Sequence, residues 1–154
     1  MEIHIMPIKG FLGLQVLQRA AAILSTSMDV DTDKILCPYV MAEYMDFDYD
    51  SPRSFSSQQA EKFARLVMHL GTHITDLYVC CDMGESRSPA IAAAICRYFG
   101  LSDSHIWENP KYHPNILCFC RMLEALGLYI SDEETDLLIE TNRNAFKTAI
   151  RQTR

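Results

Sequence analysis

The run Leu77-Tyr78-Val79-Cys80 constrains this chain more than any other segment. It is short, apolar and bounded by polar residues, which predicts a parallel strand buried on both faces. Such a strand needs strand neighbours on each side and helices over the sheet. The rest of the chain supplies both. Glu2 to Ile8 alternates, with Ile3, Ile5 and Pro7 on one face, and reads as a strand. Ala21 to Ser25 and Cys37 to Phe47 read as two more. Gly10 to Arg19 reads as a helix. Ser56 and Gln59 match a capping box that opens another, with the apolar stripe Ala60, Phe63, Ala64, Val67 and Met68 and a close at Gly71. Pro89 suits the first turn of a helix running to Gly100, and His113 to Leu126 reads as a further apolar helix. Ser131 with Glu134 caps the last one, whose late Arg143, Lys147, Arg151 and Arg154 suit the helix dipole. The expectation is an α/β fold: one domain over residues 1–154, with a central, largely parallel sheet of about four or five strands flanked by helices.

Composition narrows the function. The net charge of −6, with 49% apolar and 22% charged residues, describes a globular chain and disfavours a general nucleic-acid or anionic-membrane binder. From Asp29 to Asp50 stand seven acids (Asp29, Asp31, Asp33, Glu43, Asp46, Asp48 and Asp50) against Lys34, so this segment carries the whole imbalance. The six cysteines lack zinc-ligand pairing, and the chain is not a short, core-poor secreted one, so reduced thiols are expected. Phe11 to Leu24 is apolar, but Gln15, Gln18 and Arg19 interrupt it and Glu2 spoils a basic leader. It is also too short and polar to span a bilayer. A cytoplasmic protein without a membrane segment is expected.

The chemistry concentrates in Cys81-Asp82-Met83-Gly84-Glu85-Ser86-Arg87-Ser88-Pro89, between the buried strand and the Pro-started helix. A loop of this length can curl until its backbone N–H groups converge, and such nests at helix N-termini bind phosphate. Gly84 supplies the freedom for the curl, and Arg87 adds a planar fork for two phosphate oxygens. The same positive field favours Cys81 as the attacking thiolate, with Ser88 placed to donate a hydrogen bond to the sulfur. The residues expected around a bound phosphate are Asp82, Met83, Gly84, Glu85, Ser86 and Arg87.

This Cys-x5-Arg-Ser string resembles the signature of the protein tyrosine phosphatase superfamily, in particular its small dual-specificity branch of the bacterial and phage type. The likeness extends to the small-residue helix Ala90 to Ala94, to Tyr112-x-Pro114-Asn115 and to the Phe-Asp stretch at 47–50, covering roughly residues 20–127. The resemblance implies hydrolysis of phosphotyrosine or another phosphomonoester through a phosphocysteine, without metal or organic cofactor. Cys81 would be the nucleophile, Arg87 the clamp and Ser88 the thiolate partner. It also implies an aspartic acid about thirty residues before the cysteine, serving as acid and then base. Asp48 and Asp50, 33 and 31 positions upstream, both qualify: Asp48 by its neighbours, Asp50 by spacing, with Asp46 third.

Two features depart from that pattern. Cys80 stands where a histidine is usual, which bears on the nucleophile's surroundings or supplies a redox partner. Asp82 and Glu85 place negative charge in the phosphate loop. Partners expected are a phosphorylated protein or a small phosphomonoester, with no nucleic acid. Competing readings are a non-catalytic phosphate-binding module, a phosphatase of nucleotides or RNA 5′ ends, and a sulfurtransferase, which the Arg87-Ser88 pair disfavours. A metal site at His113, Cys118 and Cys120 is the weaker account of those residues, which core packing and a polar turn explain.

Overall fold

A computed structural model describes residues 1–15 and 17–153 of the chain. Val16, within the first expected helix, and Arg154, last of the basic residues expected late in the final helix, lie outside the described residues. Among the described residues four strands form one sheet: β1 (Glu2–Pro7), β2 (Ala20–Thr26), β3 (Tyr39–Glu43) and β4 (Asp76–Cys81). Their order is β1-β4-β2-β3, and every adjacent pair is parallel. β4, the run singled out from sequence, lies inside the sheet with Leu77, Val79 and Cys80 at most 1% exposed. Because side chains alternate along a strand, its residues serve two cores. Leu77 and Val79 join Ile23, Phe63, Ile91 and Phe119 beneath α2 (Ser57–Met68), α3 (Arg87–Tyr98) and α5 (Ile116–Ala125). Cys80 packs on the opposite face with Ala22, Leu24 and, from α1 (Ile8–Leu12), Ile8 and Phe11.

Helix α3 follows β4 directly and is buried without interruption from Arg87 to Cys96. A helix apolar all round must be enclosed, and Ala90, Ala92, Ala93 and Ala94 are small enough to bring it close to the sheet and to α5. The capping box of α2 is reciprocal: Gln59 N–H donates to Ser56 Oγ at 3.1 Å and Ser56 N–H to Gln59 Oε1 at 2.9 Å. Ser131 caps α6 (Asp132–Gln152) through Glu134 N–H at 3.1 Å. None of the described helices is long and apolar enough to cross a membrane.

Several boundaries differ from expectation. The first helix begins at Ile8 after Pro7 and stops at Leu12, not Arg19, because Gly10 and Gly13 weaken it and Gly13 takes the C-cap. Arg19 then adopts a left-handed φ of 55° as the chain enters β2. The third strand is shorter than Cys37 to Phe47, since Met45 N–H leaves the sheet to bond Arg53 O at 2.8 Å, closing a loop. Helix α2 ends at Met68 with His69 as its C-cap, before the expected Gly71, and Met68, expected on its apolar stripe, is 44% exposed. Helix α3 stops at Tyr98 and α5 starts at Ile116, both inside the expected spans. The four-residue α4 (Ser104–Trp107) has no periodic signature of its own. It anchors α6, whose Asn142 Nδ2 donates to Trp107 O and Tyr112 O.

Candidate active site

Cys81 is the last residue of β4, in register with Pro7 of β1 and Ser25 of β2, at the carboxyl edge where open parallel sheets receive ligands. Its sulfur has two polar neighbours: Gly84 N–H donates to Sγ at 3.2 Å, and Ser88 Oγ lies 3.1 Å from it. The curl that brings Gly84 back over the sulfur requires a φ of +71°, and a Cβ there would stand 2.7 Å from Pro7 N and 2.8 Å from Met6 C. Only glycine meets both demands.

The loop's carbonyls are engaged on its outer side. Glu85 O accepts from His113 N–H at 2.8 Å and Ser86 O from Asn115 N–H at 3.1 Å. Ser86 is the N-cap residue of α3, yet its hydroxyl makes no cap. It donates instead to Asp46 Oδ1 at 2.9 Å. The first N–H groups of a helix have no intrahelical partner, so those of Arg87 and Ser88 stand at the positive end of α3 beside the Cys81 sulfur. The geometry is that of an anion cradle with a thiol at its floor.

Arg87 is held from two sides. Its Nη1 donates to Tyr44 O at 2.8 Å and its Nη2 to Asp82 Oδ2 at 2.7 Å, with both side chains of the ion pair under 10% exposed. Asp82 in turn accepts from Thr26 Oγ1, Ser27 N–H and Ser27 Oγ at the end of β2. Burial works against ionisation of Asp82, but the bonds from Ser27, Arg87 and Thr26 outweigh it and hold the carboxyl below its ordinary range. Burial likewise disfavours the charge on Arg87, and Asp82 more than offsets it. Two of the guanidinium's five N–H donors are used, which leaves three for a ligand. The negative charge that Asp82 was expected to place in the loop is set against the arginine, which its side chain braces. Glu85 is exposed on the loop's outer surface, and Met83 is 69% exposed.

The three candidate acids occupy different surroundings. Asp50, 84% exposed, pairs with Arg121 Nη2 at 2.9 Å on the outside of the loop, an arginine that also donates to Phe55 O. Asp50 is thereby engaged by an arginine of α5, whereas no ion pair holds Asp48 among the described residues. Asp48 and Ser86 together line an open cavity of about 450 Å³, whose walls include Trp107, His113 and Arg143. Asp46 lines the same cavity but is tied down, its Oδ1 accepting from Ser86 Oγ and from Asn115 Nδ2 at 2.7 Å. A second cavity of about 610 Å³ opens behind the brace, beside Ser27, Tyr44 and Arg53.

Cys80 is fully buried on the far face of the sheet, and burial pushes its thiol well up, so it fills the core there. His113, Cys118 and Cys120 do not converge: Cys118 is buried under Tyr44, whereas His113 is exposed against the edge of Phe146. The residues sequence reasoning missed are Thr26, Ser27 and Tyr44, which position Asp82 and Arg87. The polar Ser25-Thr26-Ser27 run that closes the otherwise apolar β2 was the available signal. The chain matches no protein-family model, no curated protein and no solved structure.

Proposed function

We propose that this protein is a cysteine-dependent phosphatase that hydrolyses phosphotyrosine or other phosphomonoesters. The observation that carries the reading is the Cys81 sulfur, bonded by Gly84 N–H and Ser88 Oγ beneath the start of α3 and beside a braced Arg87. Arg87 and the loop amides bind the phosphoryl oxygens, where negative charge must be held while the phosphoryl group transfers. The Cys81 thiolate attacks phosphorus, the ester P–O bond breaks, and Asp48 gives its proton to the departing oxygen. Water then attacks the phosphocysteine and loses its proton to Asp48. The S–P bond breaks, phosphate leaves and the thiolate is restored. No metal or organic cofactor enters this scheme.

The six cysteines are free, and a thiol nucleophile works where thiols stay reduced, which makes the cytoplasm the setting of this reading. The decisive experiment compares phosphate release from an aryl phosphate by wild type and by Cys81→Ser. Turnover lost in the variant supports the proposal. Equal rates, or phosphate binding without turnover in wild type, would overturn it in favour of a non-catalytic phosphate-binding module.

A further inference from the structure

Asn115 is 4% exposed and sits where three pieces of the site meet. Its Oδ1 accepts from Cys118 N–H at 3.1 Å, capping α5. Its backbone N–H holds Ser86 O of the phosphate loop at 3.1 Å. Its Nδ2 donates twice to the acid segment, to Asp46 Oδ1 at 2.7 Å and Phe47 O at 3.0 Å. Asp46 Oδ1 also receives Ser86 Oγ, so the ring of bonds closes on itself. Both Nδ2 hydrogens and the amide oxygen of one buried side chain are thus spent on α5 and the acid segment.

The remainder of the acid segment has few such anchors. Phe47 stacks on Tyr49 at 5.1 Å, Tyr49 O accepts from Ser54 Oγ, and Tyr49 itself is 58% exposed. Asp48 lies one residue beyond the Phe47 carbonyl that Asn115 holds and two beyond Asp46. Where the Asp48 carboxyl stands relative to the phosphate loop is therefore set by the two Nδ2 bonds.

We infer that Asn115 is a positioning residue of the reaction, and that Asp46 is its partner in that task and not the proton donor. This rests on the phosphatase reading with Asp48 as the acid. Asn115 and Asp46 lock the acid segment against the phosphate loop, so that the proton of Asp48 is already in place when substrate enters. A buried side chain bonded to a catalytic segment is worth most in the step that needs alignment, and misplacement by an ångström costs about 10²-fold.

Leaving-group dependence tests this, because an activated aryl phosphate needs little protonation whereas a poor leaving group needs it fully. Asn115→Ser keeps a hydroxyl that caps α5 but loses both Nδ2 donors. Its kcat/KM, which reports phosphoryl transfer to Cys81 and not the shared hydrolysis of the phosphocysteine, should fall about 10²-fold for phenyl phosphate and by less than about tenfold for 4-nitrophenyl phosphate. Asp46→Ala should reproduce that pattern. Asp46→Asn keeps an oxygen acceptor and should restore most of the loss, which a proton donor's amide could not do. Equal losses on both substrates, or Asp46→Asn as poor as Asp46→Ala, would overturn the inference while Cys81-dependent turnover kept the phosphatase reading intact. Wild-type turnover indifferent to Cys81→Ser would sink both together.

Discussion

The two ends of the sheet each carry an acid paired with a base, and they differ in almost everything else. At the carboxyl edge Asp82 and Arg87 are under 10% exposed, and the acid takes further bonds from Thr26 and Ser27. At the amino edge His4 Nε2 meets Asp76 Oδ1 at 2.8 Å with both side chains 31% exposed, and Glu2 lies 4.0 Å away. His4 also stacks on Tyr78 at 4.7 Å. The chemistry is alike, but water screens one pair and not the other. An exposed pair adds little to stability, whereas a buried pair becomes costly as soon as one partner is removed. The buried pair has therefore become part of the site's framework, while the exposed one decorates a strand end.

The largest expected effect tests the buried end. Asp82→Ala leaves Arg87 enclosed with Tyr44 O as its only partner in place of two, and should cost about 3 to 5 kcal/mol in chemical denaturation. A loss below about 1 kcal/mol would mean that the brace behaves like a surface pair. Acid titration sharpens the contrast. The folded-state pKa of Asp82 lies below its unfolded value, held there against burial by Ser27, Arg87 and Thr26. Its stabilisation is therefore complete above the unfolded carboxylate value, about 3.9, and disappears as pH falls through the folded one. Asp82→Asn should flatten the loss of stability below about pH 4. Asp76 is lowered too, chiefly by its bond from His4 and then Thr75, so its effect has the same sign. Asp76→Asn should give a smaller change in the same acid titration, because that end is open to water, and a change as large as that of Asp82→Asn would erase the distinction.

The smallest effect concerns substrate choice. Asp48 and Glu43 are exposed near the site, Glu85 is exposed in the loop, and among the described residues only Asp50 of the acid segment has a cationic partner. Phosphopeptides with neutral or basic flanks should react faster than acidic ones, by a margin that shrinks as salt rises. Faster hydrolysis of acidic peptides at low salt would show that Arg143 in the cavity wall outweighs these acids.

What was legible in the sequence was local. The buried strand, the loop and its glycine, and the caps at Ser56 and Ser131 each depend on neighbours a few positions away. The surroundings of the candidate acids were not legible, because they depend on bonds between distant segments: Asp50 with Arg121 across 71 positions and Asp46 with Asn115 across 69. Spacing from Cys81 favoured Asp50 and neighbouring residues favoured Asp48, and the ion pair of Asp50 with an arginine on α5 is a difference between them that neither criterion contains. The role of Asp82 was hidden for the same reason, since its partners at Thr26 and Ser27 lie on another strand, 56 and 55 positions away. The overlong helix after Gly10 failed differently: its apolar pattern was real, but two glycines ended it early.

Gly84 rests against Met6 and Pro7, so the phosphate loop is seated on a strand 77 positions upstream of it. The curl over Cys81 cannot be completed by β4 and α3 alone; it needs β1 paired along the sheet, a contact of long sequence separation and so a slow one to form. In refolding, turnover should rise with amide protection of β1 and not ahead of it. A chain still short of that pairing carries the whole Cys-to-Arg string without the closed curl, so the turnover proposed for this site would itself report that the first strand has docked.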